Sequence, residues 1–350
     1  MTDVRWPEVL TALLRGQDLD EATAHSVMRE LMSGDAESSH VAALLIALRA
    51  KGESGSEIAG FVRGTLEAAE PIELDPAITA RLVDTCGTGG DGAGTFNIST
   101  VAALVVAAAG VPVAKHGNRA ASGTCGSADL LEAWGVAIDL GPEQVAACLT
   151  ELGIGFLYAR LFHPAMRHVA PVRVQLGIRT VFNLLGPLSN PAGAPHQVVG
   201  IADPSLGEPM ATALAQLGKR RALVFHGRDG LDELTLSGPS DVWEVRGGEV
   251  ISGVVDPGEL GLQRATVDQL RGGTVSENVA IADAVLAGGR GPHRDVVVLN
   301  AAAALMVAGA ADELTAGIRL AGEAIDDGWA LALRDRWAQR STELAERVDG

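Results

Sequence analysis

The residues able to do chemistry gather in one stretch, Val83 to Asp129, and in one distant pair, Asp232-Glu233. After Leu82-Val83 the stretch runs Gly87-Thr88-Gly89-Gly90-Asp91-Gly92-Ala93-Gly94, five glycines in eight residues. Glycines at that density let a backbone adopt positive φ and come close to a ligand. Asn97-Ile98-Ser99-Thr100 follows, rich in helix-capping types, ahead of an apolar helix that stops at Gly110. Strand, glycine turn and helix N-terminus make an anion site, because free N–H groups and the positive end of the helix dipole face the ligand.

Gly87, Gly89 and Gly92 also fit the GxGxxG spacing of a nicotinamide dehydrogenase. That site needs an acidic residue about 20 positions later for the ribose. Here no Asp or Glu lies between Asp91 and Asp129. A strand expected at Val111–Ala114 instead enters a basic loop, Lys115-His116-Gly117-Asn118-Arg119, which calls for more phosphate. Lys115 is one of only three lysines, with Lys51 and Lys219, among 27 basic residues. A compact ammonium suits a phosphate as a point charge. Asp232-Glu233, in HGRDGLDELTLSG after an expected strand, reads alone as a solvated turn. Beside a diphosphate the same two carboxylates would suit a divalent cation.

CGTGGD, NIST and KHGNRAASGTCGSAD resemble the signature segments of the anthranilate phosphoribosyltransferase family, and the resemblance extends over essentially the whole chain. It implies transfer of a phosphoribosyl group from phosphoribosyl diphosphate to anthranilate, with Mg2+, in tryptophan biosynthesis. It implies a donor site of Gly87, Gly90, Asp91, Thr95, Asn97, Ile98, Ser99 and Thr100 on one wall. The other wall would be Lys115, His116, Gly117, Asn118, Arg119, Ala120, Ala121, Ser122, Gly123 and Ser127, able to close as a loop. Ser99, Asp232 and Glu233 carry over as metal ligands, and Gly87, Asn118 and Arg173 as contacts to anthranilate. Without the resemblance, Arg167, Arg173 and Arg179 are indistinguishable. The reaction separates an anionic diphosphate from a cationic sugar, so it needs positioning and electrostatics, from Lys115 and Arg119, rather than a covalent nucleophile. An arylamine already has its lone pair, so no strong base is required. His116 is either a late proton acceptor or a structural imidazole, and His163 and His168 read as packing or capping residues. A pyrimidine nucleoside phosphorylase is the nearest rival; KHGNR together with Asp232-Glu233 favours the transferase.

The scaffold expected for these groups is α/β: a small all-helical N-terminal domain, 1–72, and a larger domain, 78–350, with a mostly parallel central sheet. Four short helices are expected first, the last capped at Ser56-Glu57-Ile58, then a linker marked by Pro71 and Pro76. Strands are expected at Arg81–Thr85, Val111–Ala114, Ile154–Ala159, Gln197–Ala202 and Arg221–His226, alternating with helices. A hairpin, Val242–Val245 with Glu249–Val254, follows, and helices return over 277–346. The resemblance implies that about 163–190 returns to the helical domain, which forms a homodimer, and two passes between domains make a hinge plausible.

Composition narrows the partners. A net charge of −17 opposes nucleic-acid binding, including that of a non-enzymatic relative. No apolar run is long enough for a membrane span. Cys86, Cys125 and Cys148 show no CxxC spacing, so neither a disulfide framework nor a zinc site is expected. MTDVRWPEVL lacks a signal-peptide layout, and a cytoplasmic location is expected.

Overall fold

The computed structural model describes residues 4–120 and 124–346. Ala121, Ser122 and Gly123 of the expected donor site lie outside the described residues. Helices α1 (Trp6–Leu14), α2 (Glu21–Ser33), α3 (Ser38–Lys51) and α4 (Gly55–Glu67) come first. Asp20 caps α2 by accepting from the Thr23 amide at 2.7 Å. The cap of α4 is Ser54 rather than Ser56, because Glu57 reaches back to the Ser54 amide at 2.8 Å and completes a capping box. The buried Glu57 carboxylate also accepts from the Leu19 amide at 3.0 Å and Lys51 Nζ at 2.9 Å, which fixes the loops around α4.

After α5 (Pro76–Thr79) the chain builds a sheet from β1 (Val83–Gly87), β2 (Val113–Gly117), β3 (Ile154–Tyr158), β4 (His196–Gly200), β5 (Arg221–Gly227), β6 (Ser240–Arg246) and β7 (Glu249–Val255). Their order across the sheet is β3-β2-β1-β4-β5-β6-β7. The first five are parallel, and β6 and β7 are antiparallel additions. Gly247 and Gly248, at φ 60° and 86°, close the β6–β7 hairpin. The helical N-terminal region and mostly parallel sheet agree with the expected fold class.

The strand boundaries differ from expectation by one to three residues at several ends, and two of these shifts bear on the site. The turn after α5 takes up Ala80 to Leu82, so β1 starts at Val83. Gly110 (φ 92°) and Pro112, which has no N–H, keep Val111 and Pro112 out of β2. Lys115, His116 and Gly117 are therefore strand residues, not loop residues.

The remaining helices are α6 (Ile98–Ala108), α7 (Ser127–Ala133), α8 (Pro142–Leu152), α9 (Ala159–Phe162), α10 (Ala170–Leu176), α11 (Phe182–Leu188), α12 (Gly207–Gln216), α13 (Val275–Leu286), α14 (Pro292–Val307), α15 (Leu314–Asp326) and α16 (Trp329–Glu346). None among the described residues is long and apolar enough to cross a membrane. Side chains alternate across the strands. Val83 and Val113 join a core with α6, α8, α14, α15 and α16, while Cys86, Val199 and Val224 join one with α11, α12 and the N-terminal helices. Within the returning segment, the 3-10 turn Pro164–His168 packs on α2, α10 on α3 and α11 on α4.

Candidate active site

Strand order reverses at β1 and β4, and ligands of open α/β sheets bind beyond the carboxyl ends of strands at such a point. Four connections leave there: 88–97 after β1, 118–126 after β2, 201–206 after β4 and 228–239 after β5. The glycine turn has positive φ at Gly89, Gly90, Gly92 and Gly94. It is anchored on β4 by the Thr88 amide, which donates to the Gly200 carbonyl at 2.9 Å. Its far end is held by residues that sequence reasoning missed. Thr95 bridges Arg271, and the Phe96 amide donates to Leu270 O at 3.1 Å.

Asp232 sits directly over β1 and β4. A Cβ at Gly87 or Gly200 would collide with it, so both strands must end in glycine. The Gly89 amide donates to Asp232 Oδ2 at 2.7 Å. The acidic pair is no free solvated turn, since Leu231, Leu234 and Leu236 are buried on either side. Asn300 of α14 grips Leu234 by its amide and its carbonyl, both at 3.0 Å.

Carboxylates crowd here. Burial, then the Asp91 charge, pushes the Asp232 carboxyl up to about 7. Burial and the Asp232 charge push Glu233 well above the usual range, with Lys115 and the Ser99 backbone opposing. Asp91 Oδ2 is buried without a hydrogen-bond donor. Its neighbour is the Asp232 carboxyl, so the contact is relieved only by a shared proton or a cation. These groups therefore suit a hard divalent ion. Among the described residues no three His, Cys, Asp or Glu side chains form a complete metal site, so ligand oxygens would have to supply the rest.

Lys115 points into this cluster rather than into a loop. It is buried, and Nζ donates to the Thr85 carbonyl at 2.7 Å and lies 3.5 Å from Ser99 Oγ. Burial lowers its pKa against the pull of Asp84. The Asn97 side chain does not cap α6; its Nδ2 donates to Cys125 O at 3.0 Å, and Oδ1 is buried without a partner. Thr100 Oγ1 donates to Ser127 Oγ at 3.1 Å, tying α6 to the start of α7. Ile98 is buried in the core.

Residues that follow Lys115 are engaged within the protein. The Arg119 guanidinium is engaged by Asp129 at 3.0 Å and Glu132 at 2.8 Å, which raise its pKa, while Asn118 Oδ1 accepts the Arg119 amide at 2.8 Å. Asp129 Oδ2 also takes the amides of Ala120 (3.1 Å) and Gly126 (2.8 Å), so it clamps both feet of the loop. His116 faces the opposite side of β2 from Lys115. Its Nδ1 bonds Gly186 O at 3.0 Å and its ring stands edge-on to His163, with centroids 5.0 Å apart. Burial lowers these imidazoles to about 4 and about 3, and both rings are packed in the protein interior. Gly117 has no Cβ because the Phe156 ring is there.

Arg173 and Arg179 separate from Arg167. The half-buried Arg173 guanidinium stands over the Phe182 ring, 5.1 Å from its centroid, and makes no hydrogen bond or ion pair with another described residue. Arg179 reaches the glycine turn, its Nη2 donating to Thr88 O at 3.3 Å. The exposed Arg167 side chain donates to Pro164 O at 3.4 Å.

A glycine turn and an acidic loop thus meet where strand order reverses, beside a small helical bundle. Residues 7–69 match the helical bundle domain of the glycosyl transferase family, and residues 79–331 match its a/b domain. The chain is 53% identical over 341 residues to an anthranilate phosphoribosyltransferase of Thermomicrobium roseum, covering 97% of each chain. The crystal structure of the Thermus thermophilus anthranilate phosphoribosyltransferase is similar at TM-score 0.90 and 49% identity, covering 95% of this chain and 99% of that one. The Saccharomyces cerevisiae enzyme in complex with PRPP (phosphoribosyl diphosphate) and Mg has TM-score 0.87 at 26% identity, covering 98% and 99%. This chain belongs to the anthranilate phosphoribosyltransferase family.

Proposed function

We propose that the chain transfers the 5-phosphoribosyl group of phosphoribosyl diphosphate to the amine of anthranilate, giving N-(5-phosphoribosyl)anthranilate and diphosphate, in tryptophan biosynthesis. The observation that carries this reading is the contact of Gly89 with Asp232, which joins an anion-binding turn to a carboxylate cluster. The amides of the turn and the N-terminus of α6 receive the diphosphate and ribose. Asp232 and Glu233, with Ser99 and with Asp91 added, hold Mg2+, which when bound supplies charge neutralisation for the diphosphate. Lys115 offsets the charge of Glu233 from inside the sheet.

The C1–oxygen bond to diphosphate breaks as the amine nitrogen bonds to C1 from the opposite face, and the amine proton passes to solvent. Arg173, with its donors free and partly desolvated, binds the anthranilate carboxylate, and Gly87 and Asn118 complete the acceptor side. Thr95, Asn97, Thr100, Ala120 and Ser127 shape the donor walls. Arg119 helps only if the ligand draws it away from Asp129 and Glu132.

We further assign a helical domain of 1–72 with 163–190, an α/β domain of 78–350, and a cytoplasmic homodimer through the helical domain. Leu14 of α1 is 79% exposed and Val174 of α10 81%, which supports such a contact. The test of function is phosphoribosyl diphosphate consumption that requires anthranilate, followed by loss of anthranilate fluorescence. Phosphate-dependent cleavage of a pyrimidine nucleoside to free base and ribose 1-phosphate, with no consumption of phosphoribosyl diphosphate, would favour the phosphorylase.

A further inference from the structure

We infer that Arg179 is a positioning residue that holds the glycine turn in its ligand-receiving shape from the helical side of the cleft. The inference rests on the proposed reading of that turn as the diphosphate site.

Arg179 lies between α10 and α11, in the segment packed on the N-terminal helices, yet its side chain crosses to the turn after β1. Two contacts mark the crossing. Nη2 donates to Thr88 O at 3.3 Å, and a Cβ on Gly90 would collide with Nη1. The guanidinium therefore lies against the Gly90 backbone, at a residue whose φ of 82° already favours glycine. Among the described residues this is the one hydrogen bond from the returning segment to the turn 88–97. From the opposite side the turn is held by Asp232 through the Gly89 amide. Thr88, Gly89 and Gly90 are thus fixed between a cation from the helical side and a carboxylate from the sheet side.

The surroundings leave few substitutes for that contact. A cavity of about 140 Å³ separates the turn from the helical bundle, with Arg49, Glu53, Asp203 and Arg179 on its wall. Across this gap no bundle side chain makes a hydrogen bond to the turn among the described residues. Without Arg179 the turn would keep its attachments to Gly200, Asp232 and Arg271 but lose its restraint on the cleft side. The turn's amides would then sample orientations away from the diphosphate, and donor affinity would fall while the acceptor contacts stayed as they are.

The test uses the full-length protein with Mg2+. Phosphoribosyl diphosphate binding is measured by calorimetry without acceptor, and both KM values by the fluorescence assay, for wild type, Arg179→Ala, Arg179→Lys and Gly90→Ala. Arg179→Ala should weaken donor binding about 2- to 10-fold, the worth of one modest hydrogen bond, with anthranilate KM changed by less than about twofold and the melting temperature unaltered. Arg179→Lys should recover only part, because it keeps the charge but not the flat guanidinium. Gly90→Ala should cost less in the Arg179→Ala background than in wild type, since the collision is gone. Unchanged donor affinity in Arg179→Ala, full recovery by Lys, or equal Gly90→Ala losses in both backgrounds would each overturn the inference. A wild type that consumes no phosphoribosyl diphosphate with anthranilate would instead overturn the functional reading.

Discussion

The Gly89 amide donates to Asp232 Oδ2 at 2.7 Å across 143 residues of sequence, so the turn after β1 and the loop after β5 form one structure. The turn presents free amides to an anion, and the loop presents carboxylates that repel one another. Each half is incomplete alone, and the joint is possible because Gly87 and Gly200 leave room for the Asp232 carboxyl and main chain.

Replacing Asp232 and Glu233 together by Ala should raise the Mg2+ concentration needed for activity by at least about tenfold, as charged contacts are worth roughly 1.5–3 kcal/mol. A Mg2+ titration of activity, with circular dichroism as the fold control, checks this. A wild-type titration curve in the double variant would remove the pair from the metal site.

The Asp232 carboxyl at about 7 sets two pH effects. Below that pH protons compete with the metal, so apparent Mg2+ affinity should fall about tenfold per unit for one competing proton. The folded-state value lies above the ordinary 3.8, so the native state holds this proton more tightly than the unfolded chain. Its stabilising contribution is therefore lost as pH rises from about 4 to about 7. Asp232→Asn should need more Mg2+ for activity yet unfold at higher urea than wild type at pH 8, each unit of relieved shift being worth about 1.4 kcal/mol. The gain should vanish near pH 4; a gain equal at both values would place its source elsewhere.

Lys115→Ala should weaken donor binding and also destabilise the fold. It leaves Thr85 O without its ammonium donor and Glu233 without a nearby cation. Removing one partner of a buried charge cluster costs about 3–5 kcal/mol. Urea unfolding separates this from a surface phosphate contact, for which stability would be unchanged.

If Arg173 holds the acceptor carboxylate, Arg173→Ala should raise the anthranilate KM by about 10- to 150-fold and barely move that for phosphoribosyl diphosphate. Arg173→Lys should recover a fraction of the loss. Exposed Arg167→Ala is the control, and an equal defect there would trace the effect to the segment rather than the carboxylate.

His116 and His163, lowered to about 4 and about 3 from 6.5, bind protons less readily in the folded state than unfolded. Their contribution to stability is complete above pH 6.5 and is lost as pH falls towards 4. His116→Gln should flatten the pH dependence of unfolding in that window while leaving the kcat/KM profile between pH 6 and 8 unchanged. A shifted activity profile would instead assign His116 the role of proton carrier.

Sequence by itself determined what is local. Glycine density at 87–94, capping types at 97–100 and alternating strand and helix patterns follow from backbone sterics and side-chain periodicity over a few residues. They were enough for the helical N-terminal region, the mostly parallel sheet and the position of the anion-binding turn. Contacts between distant segments needed the tertiary structure. Lys115 reads as a loop cation until Pro112 is seen to delay β2, which turns it inward towards Thr85 and Ser99. Arg119 reads as a free cation of a basic loop and Arg179 as one of three interchangeable arginines, yet the first is held by Asp129 and Glu132 while the second reaches Gly90. Which partner an arginine meets depends on how α7 and the segment between α10 and α11 pack against the sheet. Periodicity along a chain shows which face is buried, but only folding decides what lies opposite.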